Sequence, residues 1–261
     1  MTASLNPALK AVTVLIPGIL LSFSFDIFTP LVFLLFIIGY TIFFSGVPLK
    51  KWLMFFLPFM ILAAGFAWMS MLYASGSFAE GRTLFTVWRF DVTTGSVAVG
   101  ISLALRSLCF GALSLLFILT TDSTKFMLSL MQQFKLPPSI TYGVLAGYRF
   151  LPLFRHEFQL LRQAQRVRGA GRAKGIKAKI LQFRRYAVPL MANAIRRAER
   201  TANAMESKGF TGSYERTHYH HMQITAKDWS FFGMVNGALL ITFAVSYYLG
   251  YLSIFGYQAG S

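Results

Sequence analysis

Acidic side chains are scarce in this chain, with nine Asp and Glu in 261 residues against twenty-five Lys and Arg. Catalysis by side chains needs titratable groups gathered in a cleft, and few of these acids stand near one another. No Ser/His/Asp order, His-Glu-x-x-His run or paired-aspartate motif occurs, so an enzyme is disfavoured. Cysteine is rarer still. Cys109 alone, inside an apolar run, permits no disulfide framework and no thiolate metal site, and is expected to be a small packing residue. The glycine-rich stretch Gly169 to Gly175 lacks the Gly-x-x-x-x-Gly-Lys-Ser/Thr phosphate cradle and is expected to link two helices. The apolar runs also lack the regularly spaced Asp, Glu or His of proton relays, which weighs against a secondary transporter.

Apolar residues are plentiful: 55% of the chain is hydrophobic, 13% is charged, and the mean hydropathy is +0.55. That balance is too apolar for a soluble domain and predicts an all-α integral membrane protein. A hydrocarbon core ~30 Å thick takes about 20 residues of helix. About five spans are expected on that measure: Ala8 to Phe25, Ile27 to Phe44, Trp52 to Tyr73, Val97 to Thr121 and Trp229 to Leu252. With no convincing cleavable leader, the first span is retained, and Pro17-Gly18 is expected to break it. The N-terminus and the Lys50-Lys51 loop then face the cytoplasm, and the C-terminus lies outside. The connection from Ala74 to Gly95 carries Glu80, Arg82, Arg89 and Asp91 and belongs on the outer side, as a short strand or an interfacial segment. Arg106, inside the fourth span, must face protein or water, either bonded to carbonyls or coupling movement. Arg149 is a second candidate for an intramembrane structural role.

Between residues 121 and 229 the character changes. Three parts follow: a membrane bundle of about four helices over 1–121, a cytoplasmic or interfacial domain of amphipathic coupling helices over 122–228, and the last span over 229–252. Asp122-Ser-Thr-Lys125 caps a short amphipathic helix that Leu136-Pro137-Pro138 ends. A long helix to Arg168 follows, descending obliquely from membrane to cytoplasm. A second carries Ile180, Phe183, Ala187, Met191, Ala194, Ala198, Ala202 and Met205 at intervals of three or four, and Pro189 should kink or divide it. Ala194, Ala198, Ala202 and Met205 are its expected helix-packing positions. From Arg155 to Arg216 stand 15 Lys or Arg against Glu157, Glu199, Glu206 and Glu215, a surplus of 15 − 4 = 11 out of the total of 16. Charge so confined follows the positive-inside rule, so the bilayer is the partner implied and nucleic acid is not. Arg166, Arg196, Arg197 and Arg200 are expected to meet headgroups or solvent. His218, His220 and His221 lack a nearby carboxylate at helical spacing, so no metal site is expected there.

The two long helices end alike, at Val167-Arg168-Gly169 and Ser207-Lys208-Gly209. A cation followed by glycine suits a helix terminus, because glycine takes the left-handed turn and the cation faces unpaired carbonyls. Two such ends on one polar segment suggest a repeated docking device on a soluble partner, an Arg fork pairing with carboxylates. A stand-alone permease or channel, or a membrane-bound lipid-modifying enzyme, is the rival. The permease predicts flux without ATP, and the enzyme predicts activity from the purified chain alone.

In order along the chain, Leu119-Thr120-Thr121, Leu136-Pro137, Tyr148 to Leu153, Ala164-Gln165-Arg166-Val167-Arg168-Gly169 and Ala204 to Phe210 resemble the transmembrane T component of energy-coupling factor importers. The resemblance covers Gly95 to Phe210 by motif. It implies a non-catalytic subunit of the bacterial or archaeal cytoplasmic membrane with no cofactor of its own. Two ATP-binding-cassette ATPases would bind ATP, and a small membrane S component would capture a vitamin or metal ion. Arg166, Val167, Arg168, Gly169, Ser207, Lys208 and Gly209 would form the ATPase-docking ends. Val167 and Ser207 stand where the family's Ala-Arg-Gly motif has alanine, and Lys208 where it has arginine.

Overall fold

The computed structural model describes residues 5–73, 83–87, 90–168, 175–214 and 217–250. The described chain is almost entirely helical, and its elements fall into two compact units: residues 1–129 with 222–261, and residues 130–221. The second unit lies inside the 122–228 segment set apart by its charge.

The first unit is a bundle of α1 (Pro7–Ser22), α2 (Phe28–Phe44), α3 (Leu49–Tyr73), α4 (Thr94–Thr120) and α8 (Ala226–Tyr248). α3, α4 and α8 are long and apolar enough to cross a membrane; α1 and α2, at 16 and 17 residues, are shorter. Local chemistry explains the helix starts. The Asn6 carboxamide accepts from the Ala8 amide ahead of Pro7, while Thr93 with Ser96 and Thr225 with Asp228 close reciprocal capping boxes. Pro17 lies inside α1 without breaking it, contrary to expectation, since proline removes one donor and the neighbouring turns keep theirs. α4 packs against α1, α2 and α3, and α8 packs against α1 and α2. Their common core is Leu21, Phe33, Ile37, Leu113, Leu116, Val235 and Leu239. Gly100 and Gly111 let α3 approach α4 closely. A Cβ at Gly111 would stand 2.7 Å from the Phe59 ring, and one at Gly100 would stand 2.9 Å from the Ala67 carbonyl. Cys109 is fully buried against the Pro30 carbonyl, 3.1 Å away.

Side-chain bonds fix which helix ends lie together. At one end, Asn6 donates its amide to Asp228 Oδ1 (2.5 Å), and Lys10 Nζ donates to the Thr120 carbonyl (3.0 Å). The cation thus sits at the negative end of the α4 dipole. The start of α1, the end of α4 and the start of α8 therefore share a side. At the other end β1 (Thr83–Val87) and β2 (Phe90–Thr93) form an antiparallel pair, with Thr83 opposite Thr93 and Val87 opposite Phe90, which decides for a strand in that connection. Glu80, Arg82 and Arg89 lie outside the described residues.

α5 (Ser123–Gln133) is capped by the Asp122 carboxylate on the Lys125 amide, 2.9 Å, as its sequence predicts. The second unit is chiefly α6 (Pro138–Val167) and α7 (Ile176–Ser207). α7 is continuous through Pro189, which neither divides it nor ends it: only the bond to the Arg185 carbonyl is forgone.

Candidate functional site

Six of the seven docking candidates are described, and they form two helix ends within the second unit; Gly169 lies outside the described residues. α6 closes at Arg168, whose amide donates to the Ala164 carbonyl at 3.1 Å. Arg166, Val167 and Arg168 are exposed, Val167 to 90%. An apolar side chain so uncovered at a cationic tip is available to a partner's groove.

The α7 terminus is fully defined. Gly209 has φ +81°, its amide donates to the Glu206 carbonyl (2.9 Å), and the Phe210 amide donates to the Met205 carbonyl (3.0 Å). These two reversed bonds are the Schellman arrangement, which satisfies carbonyls the helix leaves free. Ser207 Oγ covers the Ala204 carbonyl at 3.1 Å, and Lys208 remains exposed. Lys208 is thereby held on a rigid turn with its ammonium directed to solvent or a partner.

The two helices run antiparallel across one another. Tyr142, near the start of α6, packs edge-on against Phe210 just beyond the end of α7 (5.6 Å), while Phe158 meets Tyr186 (5.8 Å). Arg197 donates to Glu157 and lies 5.2 Å over the Phe150 ring. This corrects the expectation for Arg197: it serves an inter-helix contact rather than a headgroup or solvent alone. The available signal was Glu157, the only acid on α6. Arg196 bonds the Asn193 carboxamide, and Arg200 bonds the Arg196 carbonyl. From Tyr142 to Arg168 is 26 residues, about 39 Å at 1.5 Å per residue, so the cationic tips stand at opposite ends of the pair.

The packing candidates are only partly covered. Ala194 and Met205 are half-buried, Ala198 and Ala202 are exposed, and the covered face instead carries Tyr186, Leu190, Arg197 and Thr201. Arg149 is exposed on α6. Arg106 is buried in the first unit, donating to the Ser22 and Ser24 carbonyls and lying 4.9 Å over the Phe25 ring. It belongs to a polar cluster that sequence reasoning missed. The Asp26 carboxylate accepts from Ser24, the Thr29 amide (2.8 Å) and hydroxyl, and Ser246 Oγ (2.9 Å), while Ser102 Oγ donates to the Asp26 carbonyl (2.9 Å). Two further helices, α4 and α8, thus converge on the α1–α2 joint, and nothing local in Asp26 announces partners 76 and 220 positions away.

Among the described residues no group of three or more His, Cys, Asp or Glu is placed to hold a metal. The His218 and His221 rings meet edge-on at 6.5 Å, and His220 packs on Tyr219.

Comparison with known proteins bears on both units. A family model described as cobalt transport protein, CbiQ, matches residues 2–219, which include both cationic tips. The chain is similar to proteins named energy-coupling factor transporter transmembrane protein EcfT. That of Bacillus subtilis (strain 168) is 31% identical over 159 residues, 58% of this chain and 60% of the relative. That of Exiguobacterium sibiricum is 28% identical over 181 residues, 66% of each, and that of Limosilactobacillus fermentum (strain CECT 5716 / Lc40) is 26% identical over 228 residues, 84% of this chain and 83% of the relative. The match to the Bacillus subtilis protein thus spans about three-fifths of that protein's length.

Proposed function

The chain belongs to the cobalt transport protein family, and we propose that it is the coupling subunit of an energy-coupling factor importer. In this reading α6 and α7 carry the closing motion of two ATP-binding-cassette ATPases to a small membrane S component that holds a vitamin or metal ion. ATP is bound by the ATPases, and this subunit has no catalytic role and no cofactor. It resides in the bacterial cytoplasmic membrane, with α6 and α7 on the inner side.

The observation that carries the reading is the pair of exposed cationic helix ends at opposite extremities of one antiparallel pair. Two grips about 39 Å apart can each engage a separate ATPase, and drawing those together strains or rotates the crossing between them. Arg168 offers two parallel bonds to a carboxylate, whereas Lys208 offers a point charge. The Glu157–Arg197 pair and the Phe158–Tyr186 contact tie the helices, so movement at one tip passes to the other.

The test is co-purification from cells expressing this chain with its ATPases and S component. Arg168→Glu with Lys208→Glu is expected to abolish ATPase capture while the chain still enters the membrane and elutes as a folded species. Normal capture by the double variant overturns the docking assignment. Substrate uptake into vesicles by the chain alone, without ATP, overturns the coupling role.

A further inference from the structure

The first half of α7 carries an apolar stripe that no described part of its own unit covers. Ile176, Ile180 and Phe183 recur every three or four residues, share a face and are exposed. Ile176 is 80% exposed and Phe183 70%, whereas Tyr186 is turned to Phe158 of α6. At about 100° per residue, Lys179 flanks the stripe on one side and Lys177 with Arg184 on the other, all exposed. Between Glu157 and Glu199 stand eleven Lys or Arg and no acid.

We propose that Ile176–Val188 is an interfacial helix lying on the anionic inner leaflet. Its apolar stripe enters the acyl chains, and the flanking Lys177, Lys179 and Arg184 meet lipid phosphates. Charge complementarity selects this occupant. Cations on both flanks of a narrow apolar stripe match a surface whose negative charge surrounds an apolar interior, and Lys and Arg stems extend along the apolar layer while their heads reach the phosphates. A protein groove would need acids along both its rims. The segment also lies in sequence between two helices long and apolar enough to cross a membrane, α4 and α8, and its excess of cations is what the positive-inside rule puts on the inner side. The lipid site is independent of the ATPase-docking reading and survives if that reading fails.

The test uses the full-length chain in lipid nanodiscs, with Cys109→Ser and an environment-sensitive fluorophore on Phe183→Cys. Discs contain phosphatidylcholine alone or mixed with phosphatidylglycerol, each with nitroxide on the lipid tails. Strong tail quenching with phosphatidylglycerol is expected. In the Lys177→Gln, Lys179→Gln, Arg184→Gln variant it should fall to the phosphatidylcholine level, each lost charge weakening attachment about fivefold. Salt checks the same term without touching the fold, since raising it from about 0.1 M to about 1 M shortens screening from about 10 Å to about 3 Å and should release the probe. Equal quenching in both lipids, or protection of the probe only when soluble ATPase is added, overturns the proposal.

Discussion

Gly209 sits at φ +81°, where a Cβ crowds the following carbonyl, and the two reversed bonds that close α7 require that conformation. Gly209→Ala is expected to cost about 1 kcal/mol in thermal or denaturant unfolding of the solubilised chain, and Gly209→Asn less. If alanine were as stable as glycine, the rigid presentation of Lys208 would be wrong. Arg106 makes a different demand. Its guanidinium satisfies the Ser22 and Ser24 carbonyls at a helix joint inside the bundle, so Arg106→Leu leaves both acceptors unpaired at about 1–3 kcal/mol each. The loss should be smaller in an Asp26→Asn background, because the cluster acts as a unit. Additive costs in that double-mutant cycle would show that Arg106 and Asp26 are energetically separate.

The α3–α4 contact depends on absent side chains. Gly111 lies under Phe59 so closely that even a methyl would meet the ring at 2.7 Å. Gly111→Ala is therefore expected to lower stability by about 1–3 kcal/mol, and Phe59→Leu should recover part of that loss by withdrawing the ring. No recovery would place the damage elsewhere on α4. The start of α5 was legible because its cause is local, Asp122 acting within a turn of itself; the caps at Asn6 and at Thr93 with Ser96 are as local but are not among the expectations drawn from the sequence. Faces were less legible. Periodicity identified the apolar stripe of α7 but not its orientation: Tyr186 and Arg197 meet α6 and Leu190 is buried, while Phe183 and Met191 stay exposed. The Asp26 cluster was illegible for another reason, since Ser102 and Ser246 are ordinary residues in apolar runs until the fold brings one to the Asp26 carbonyl and the other to its carboxylate.

At the scale of the whole molecule, two chemically unequal tips share one crossing. If each grips a separate ATPase, the weaker grip limits transmission, because force delivered at Arg168 must be resisted at Lys208. Substituting Lys208→Arg supplies a planar fork in place of a point charge, without altering Gly209 or the bonds that close the helix. A second parallel bond to a carboxylate is worth about 1 kcal/mol, or about fivefold in retention. The expected outcome is slower ATPase dissociation from the assembled complex, with the Arg168 contact unchanged. Dissociation measured in turn on Lys208→Arg, Lys208→Gln and Arg168→Gln should rank the lysine between its two substitutes, and Arg168→Gln should cost more than Lys208→Gln. A lysine that outperforms arginine would mean that its partner is a point acceptor such as a backbone carbonyl. The second tip would then be seated by the helix end itself, with charge contributing little to its hold.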